Sequence, residues 1–126
     1  MTNQPESYLN LKDPRYAWVK NIYKLFKTTS AKIDEQKSDD LKSLQSLLEE
    51  SEVLFNGFES SYYSNSFDMA AGSLVNTSKW FDKITDEIKV LSKYDFKREL
   101  KEFTSYSASA KNLATHLKEV AAILRD

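Results

Sequence analysis

Cysteine is missing from this chain altogether, so disulfides and thiolate metal sites are excluded and the composition suits a reducing compartment. Glycine occurs only at Gly57 and Gly72, and proline only at Pro5 and Pro14. Sheet proteins need many tight turns, and tight turns draw on these two residue types. Their scarcity, beside abundant Lys, Glu, Leu and Ala, argues for a few long helices. An excess of one charge is lacking too: 18 basic residues face 19 acidic ones, for a formal net charge of -1. No overall field draws in nucleic acid or an anionic membrane, and no nucleic-acid partner is expected. No apolar run approaches the length that spans a bilayer. Residues 1–12 lack the basic start and apolar centre of a secretion signal. Together these absences give the expectation of a cytoplasmic protein.

What is present points to one folded unit. With 40% apolar and 29% charged residues, the chain is too apolar for a disordered tail and long enough for a real core. Residues 1–12 read as an N-terminal arm whose Tyr8, Leu9 and Leu11 can pack on a neighbour. Residues 13–126 read as a single helical-bundle domain.

Apolar spacing divides that domain into four helices. Asp13 and Pro14 carry a start signal, a cap followed by proline at the first helical position. Trp18, Ile22, Leu25, Thr29 and Ile33 then share one face, widened by Val19, Tyr23 and Phe26. The polar stretch 34–40 reads as the first turn, with Ser38 or Asp39 capping the next helix. There Leu41, Leu44, Leu48 and Phe55 form a stripe, broadened by Leu47 and Leu54. Asn56-Gly57 offers a stop, but Phe58 and Tyr62 continue the spacing, so this helix is extended to about Tyr62.

Ser66 can cap the third helix. An unbroken 3-4 pattern follows through Phe67, Ala70, Leu74, Thr77, Phe81, Ile84, Ile88 and Leu91. After a short turn at Lys93–Asp95, Phe96, Leu100, Phe103, Ser107, Ala110, Ala114, Leu117, Ala121 and Leu124 repeat with the same heptad period. Short connections make sequential helices antiparallel neighbours. The expected fold is therefore all-α: an antiparallel four-helix bundle with long third and fourth helices and a short N-terminal arm.

Catalytic templates fail on inventory. His116 is the only histidine. A histidine phosphotransfer domain is also a four-helix bundle with one exposed reactive histidine, and Lys118 stands close enough in sequence to steady a phosphoryl group. Such domains, however, follow the histidine with a Lys-Gly pair and small residues, and carry it on a middle helix. Here Glu119 replaces a small residue and the helix is the last one. His116 reads first as a boundary residue beside the Ala114/Leu117 seam. A di-iron bundle needs Glu-x-x-His, and Leu113 stands three residues before His116. Lys111 occupies the place where an Arg-x(4–6)-His ribonuclease needs arginine. Zinc needs more ligands than the chain holds, and no Gly-rich phosphate loop or Ser–His–Asp set can be assembled. The acidic runs Asp34-Glu35, Asp39-Asp40 and Glu49-Glu50-Glu52 read as solvated faces. The Asn76-Thr77-Ser78 glycosylation pattern falls mid-helix and carries no weight. No cofactor or metal is expected.

Three features bear on binding instead. Phe55, Phe58, Tyr62, Tyr63 and Phe67 crowd thirteen residues around the second connection, more aromatics than one bundle end readily takes. Exposed aromatic side chains are frequent interface anchors, so Phe58, Tyr62 and Tyr63 are the candidate partner-binding residues. Next, Lys89, Lys93, Lys97 and Lys101 are spaced by four, with Lys83 and Arg98 nearby. Lys89, Lys93, Lys97, Arg98 and Lys101 thus form a candidate anion-binding cluster at the third turn, unless Glu87, Asp95, Glu99 and Glu102 neutralise it locally. Finally, the seams of the third and fourth helices are small or polar at Ala70, Thr77, Ser107, Ala110, Ala114 and Ala121. Apolar residues off those seams, such as Val75, Trp80, Val90, Tyr106, Leu113, Val120 and Ile123, fit either an intact four-helix bundle or a homodimer.

The leading expectation is a non-enzymatic protein–protein interaction module, an adaptor, inhibitor or immunity-type factor, or assembly subunit, that meets another protein through a helical surface. Anionic-lipid or membrane-surface binding through the basic cluster is the alternative. Histidine phosphotransfer through His116 stands third.

Overall fold

A computed structural model describes residues 17–125; the N-terminal arm and the Asp13–Pro14 start signal lie outside the described residues. The described residues form α1 (Val19–Gln36), a single 3-10 turn (Asp39–Leu41), α2 (Lys42–Tyr63), α3 (Phe67–Val90) and α4 (Lys97–Arg125), with no strand among them. Each neighbouring pair is antiparallel, because contacts on one helix descend as they ascend on the other. Phe26 meets Phe55 across α1 and α2, Glu50 meets Trp80 and Tyr62 meets Phe67 across α2 and α3, and Phe81 meets Phe103 across α3 and α4. Lys32 meets Glu99 and Phe26 meets Phe103 across α1 and α4, which closes the ring of four. The protein is an all-α antiparallel four-helix bundle.

Local chemistry explains the element ends. α1 stops where Lys37 turns left-handed, with φ 49°, a conformation that costs a non-glycine residue about 1 kcal/mol. Ser38 then accepts the Asp40 backbone N–H at 3.2 Å and starts the 3-10 turn. The α2–α3 connection is a Schellman turn: Ser66 N–H reaches Ser61 C=O at 2.8 Å, and Asn65 N–H reaches Tyr62 C=O at 3.0 Å. Asn65 supplies the required left-handed residue, with φ 64°, as asparagine can. The helix therefore runs through Asn56-Gly57 to Tyr63, one residue past the expected end at Tyr62, and the break is 64–66. Ser66 does hold the N-cap position of α3, but its side chain caps nothing, because the preceding turn leaves its torsion φ -93°, ψ 71° instead of the usual extended one. At the start of α4, Asp95 Oδ1 accepts the Lys97 N–H at 3.3 Å and serves one donor left over by helix geometry.

The core follows the heptads. Phe67, Ala70, Leu74, Thr77, Phe81, Ile84 and Ile88 of α3 are buried, and so are Phe96, Phe103, Ser107, Ala110, Ala114, Leu117 and Ala121 at the seam of α4. Small residues let the two helix axes approach. The polar seam residues answer one another: Ser78 and Ser107 hydroxyls lie 2.8 Å apart, Ser78 Oγ donates to Ser107 C=O at 3.0 Å, and Ser107 Oγ donates to the Asp82 carboxylate at 2.6 Å. Thr77 Oγ1 donates back to Ser73 C=O at 2.8 Å. A seam poor in large apolar groups is thus closed within one chain and needs no further helix. α1 stands farther off its neighbours, and large rings fill the gap. Phe26 touches Phe55, Phe81 and Phe103, and Trp18 touches Phe55 and Tyr106.

The two glycines are unusual because nothing inside the fold demands them. Neither has positive φ. A Cβ on Gly57 would meet Ser73 Oγ at 3.6 Å, an ordinary contact, and a Cβ on Gly72 would meet nothing within 4 Å. Each costs its helix about 1 kcal/mol relative to alanine. Gly72→Ala is therefore expected to raise the unfolding free energy by about 1 kcal/mol. Ala114→Leu, which overfills the close seam, should lower it by about 1–3 kcal/mol. Urea unfolding followed by circular dichroism at low protein concentration measures both, and a destabilised Gly72→Ala would show that the glycine is needed within the fold.

Candidate interaction surfaces

The aromatic end is mostly core. Phe55, Phe58, Tyr62 and Phe67 are buried, with Phe58 and Tyr62 each 1% exposed. Rings pass contact along this series: Phe55 to Phe58 at 5.2 Å, Phe58 to Tyr62 at 6.1 Å and Tyr62 to Phe67 at 5.4 Å. The candidate tip of Phe58, Tyr62 and Tyr63 is corrected accordingly. The heptad that carries Phe58 and Tyr62 past Gly57 turns both inward, and Tyr63 alone of the three is exposed, at 50%. Tyr63 stands edge-on to Tyr62, with centroids 5.3 Å apart. Exposed Met69 and Leu124 border a hollow of about 290 Å³ at the same end, between the start of α3 and the end of α4.

The basic residues gather at the opposite end, around the α3–α4 connection, and are partly engaged. Lys93 pairs with Asp40 at 3.1 Å and Arg98 with Glu102 at 3.0 Å. Lys89, Lys97 and Lys101 are exposed and make no ion pair among the described residues. Glu99 does not neutralise this cluster. It turns inward, 5% exposed, onto Lys32 Nζ of α1 at 3.0 Å. Lys32 also donates to Asp95 C=O at 2.8 Å and lies 5.3 Å from the Phe96 ring centroid. This half-buried pair joins α1 to α4 below a polar cleft of about 360 Å³ whose walls include Lys24, Thr28, Arg98, Glu102 and Tyr106.

The remaining polar groups are engaged with neighbours in the fold. His116 is a boundary residue, its side chain 22% exposed and Nδ1 4.0 Å from Glu119 Oε1. Tyr23 of α1 is held against Glu59 and Asn56 of α2, both at 2.5 Å. One phenolic proton cannot serve two acceptors, so the carboxylate takes it and the amide of Asn56 presents its N–H₂ instead. Burial first, then the bond to Glu59, raises the Tyr23 pKa. Tyr106 is raised by burial and then by Glu102. Both phenols stay protonated at neutral pH. Among the described residues no group of three His, Asp or Glu side chains is placed to hold a metal ion.

A third surface was not picked out from sequence. Outside the core, Leu47, Glu50, Leu54, Gly57 and Ser61 follow a 3-4 stripe on α2. Met69, Ser73, Asn76, Trp80 and Lys83 follow one on α3. The two stripes border one outer groove. A hollow of about 460 Å³ in it is lined by Glu50, Val53, Leu54, Asn76 and Trp80. Trp80 is fixed at its rim: Nε1 donates to Glu50 Oε2 at 2.8 Å, and Lys83 Nζ lies 3.8 Å over the ring. Val53 and Met69 are 69% and 66% exposed. The signal for this face lay in the charge pattern. Between Glu52 and Lys79 the only charged residues are Glu59 and Asp68, against 29% for the whole chain.

Comparison with protein families, with curated proteins and with solved structures returned no match for this chain. Among the described residues no helix is long and apolar enough to cross a membrane.

The Asp40–Lys93 pair ties the 3-10 turn to the α3–α4 connection, and it has a pH signature. Lys93, first by its hydrogen bond and then by its charge, lowers the Asp40 pKa, with Tyr94 assisting. The pair's contribution is complete above the ordinary carboxylate value of about 3.9 and is lost as pH falls through the lowered value. An NMR titration of the Asp40 carboxyl is expected to give a midpoint below that ordinary value. In Lys93→Ala the midpoint should return toward it; an unmoved midpoint would remove Lys93 as the cause.

Proposed function

We propose that this protein is a non-enzymatic protein–protein interaction module and that the outer α2–α3 groove is its working surface. One observation carries the reading: a charge-poor face bearing exposed Val53 and Met69 and a fixed, half-buried Trp80, on a chain that is otherwise heavily charged. Exposed apolar side chains around a rigid tryptophan match the anatomy of interface hot spots. Tyr63, exposed at the α2–α3 bend, is a second apolar contact within reach of a large partner. An adaptor, inhibitor or assembly subunit would use such a face equally well, and the cytoplasm is the compartment in which we place it.

The test is affinity capture from the native host with the tagged full chain, with captured proteins identified by mass spectrometry. At least one protein, a copy of this chain included, should be retained by the wild type and lost with Val53→Asp, while circular dichroism of the variant stays unchanged. Val53 is exposed, so the substitution spares the core. Equal retention by the two proteins would move the interaction elsewhere.

A second reading rests on Lys89, Lys97 and Lys101, which carry charge outside the ion pairs of their own end. Lysines of this kind contribute about 1 kcal/mol each near an anionic membrane. Sedimentation with phosphatidylserine vesicles at low salt separates the two readings. The interaction-module reading expects the protein in the supernatant. Sedimentation that is reversed by salt and lost in the triple Ala variant would favour the anionic surface.

A further inference from the structure

We infer that the outer α2–α3 face binds a second copy of this chain. The inference rests on reading that face as an interaction surface and names its partner. Three observations lead there. First, the chain's only glycines, Gly57 and Gly72, border this one face, in the middle of helices and with negative φ. The fold has no steric need of either. Glycine on an exposed helix face leaves room for another helix backbone to come close, and Met69, Gly72 and Asn76 form one exposed 3-4 strip beside the groove.

Second, the charges on this face are self-complementary. Glu50 of α2 and Trp80 of α3 share one level, and Lys83 covers the Trp80 ring. A two-fold axis parallel to the helices lays α2 of one copy over α3 of the other at equal height. Glu50 of each copy then faces Lys83 of the other, and the charge-free turns lie against charge-free turns. Such an isologous contact sets each of these two charges against its opposite.

Third, net neutrality argues against a strongly charged partner. A basic or acidic helix would find the Glu50 carboxylate in the hollow, the Lys83 ammonium over the Trp80 ring at its rim, and few other charges along the face. A second copy carries the same one-plus-one pattern. Val53, Met69 and Trp80 then supply the apolar area, covering side chains that otherwise remain in water.

The experiment is the mass of the full chain by light scattering and sedimentation equilibrium over about a hundredfold range of concentration. The wild type should rise from 14.6 kDa toward twice that value. Gly72→Gln, which a monomer accommodates because its Cβ meets nothing within 4 Å, should keep its helix content and associate at least about tenfold more weakly. Glu50→Lys and Lys83→Glu should each weaken self-association, and mixing the two variants should restore it, since the mixed pair sets lysine against glutamate at both positions. Trp80 emission should change on dilution while buried Trp18 reports no change. The inference is overturned by a wild type of single-chain mass throughout, by a Gly72→Gln variant that associates as firmly as the wild type, or by variants that fail to recover on mixing. A monomer that still captures a different protein through Val53 overturns the second copy alone. A chain that neither self-associates nor captures anything through this face overturns the interaction reading as well.

Discussion

Everything else in this bundle is set by how closely α3 and α4 approach. Ala70, Ala110 and Ala114 leave little between the two helices, and the Ser78 hydroxyl donates to Ser107 C=O while Ser107 donates to Asp82, joining them inside the core. Alanine adds little apolar area, and the gain comes from dense packing along the whole contact. The serine pair also fixes the register. Sliding one helix by a turn would separate the two hydroxyls and leave buried polar groups unmatched, at about 1–3 kcal/mol for each. Asp82 extends the pairing to the surface, where Lys111 lies 3.8 Å from it.

With that pair close, the space left for α1 is wide, and the sequence fills it with rings. Trp18, Tyr23 and Phe26 face Phe55, Phe81 and Phe103. The same division of labour explains why the aromatic-rich α2–α3 bend is not an exposed tip. Phe58, Tyr62 and Phe67 close the bundle where α2 and α3 meet at their turn, and the Schellman geometry at Asn65 brings Phe67 back over Tyr62. Apolar surface that the bend could have offered to a partner is spent inside the fold. What remains outside is Tyr63 at the bend, Val53, Met69 and the rim of Trp80 along α2 and α3, and Val90, Ile123 and Leu124 near the helix ends.

Lys32 and Glu99 complete the attachment of α1. A carboxylate taken this far out of water is tolerated because the Lys32 ammonium, itself lying over the Phe96 ring, pairs with it. Its cost is consistent with a role in choosing which face of α1 meets α4. At the far end, Asp40 and Lys93 draw the 3-10 turn onto the α3–α4 connection. Of the candidate cluster, Lys89, Lys97 and Lys101 are left outside any ion pair among the described residues.

Sequence alone determined the helices and their inward faces. Periodicity is a local property, and a 3-4 pattern such as Phe67 to Ile88 can bury its stripe in only one way, so most of each stripe was legible before any coordinates; Leu91 and Leu100 are only partly buried, and Leu124, at the end of the α4 stripe, is exposed. The end of α2 was legible only to within a few residues, because the signal was Asn65 in a left-handed turn and not the more conspicuous Asn56-Gly57. Tertiary structure decided which apolar surplus goes inside. Whether Tyr62 or Trp80 is covered depends on what stands opposite, and opposition is set by helix spacing, which no single stripe encodes. Hence Phe58 and Tyr62 moved into the core and the lysine cluster divided into paired and unpaired members. Trp80, read from sequence as off-seam surplus, emerged with Val53 and the two glycines as a face whose composition the fold itself does not explain.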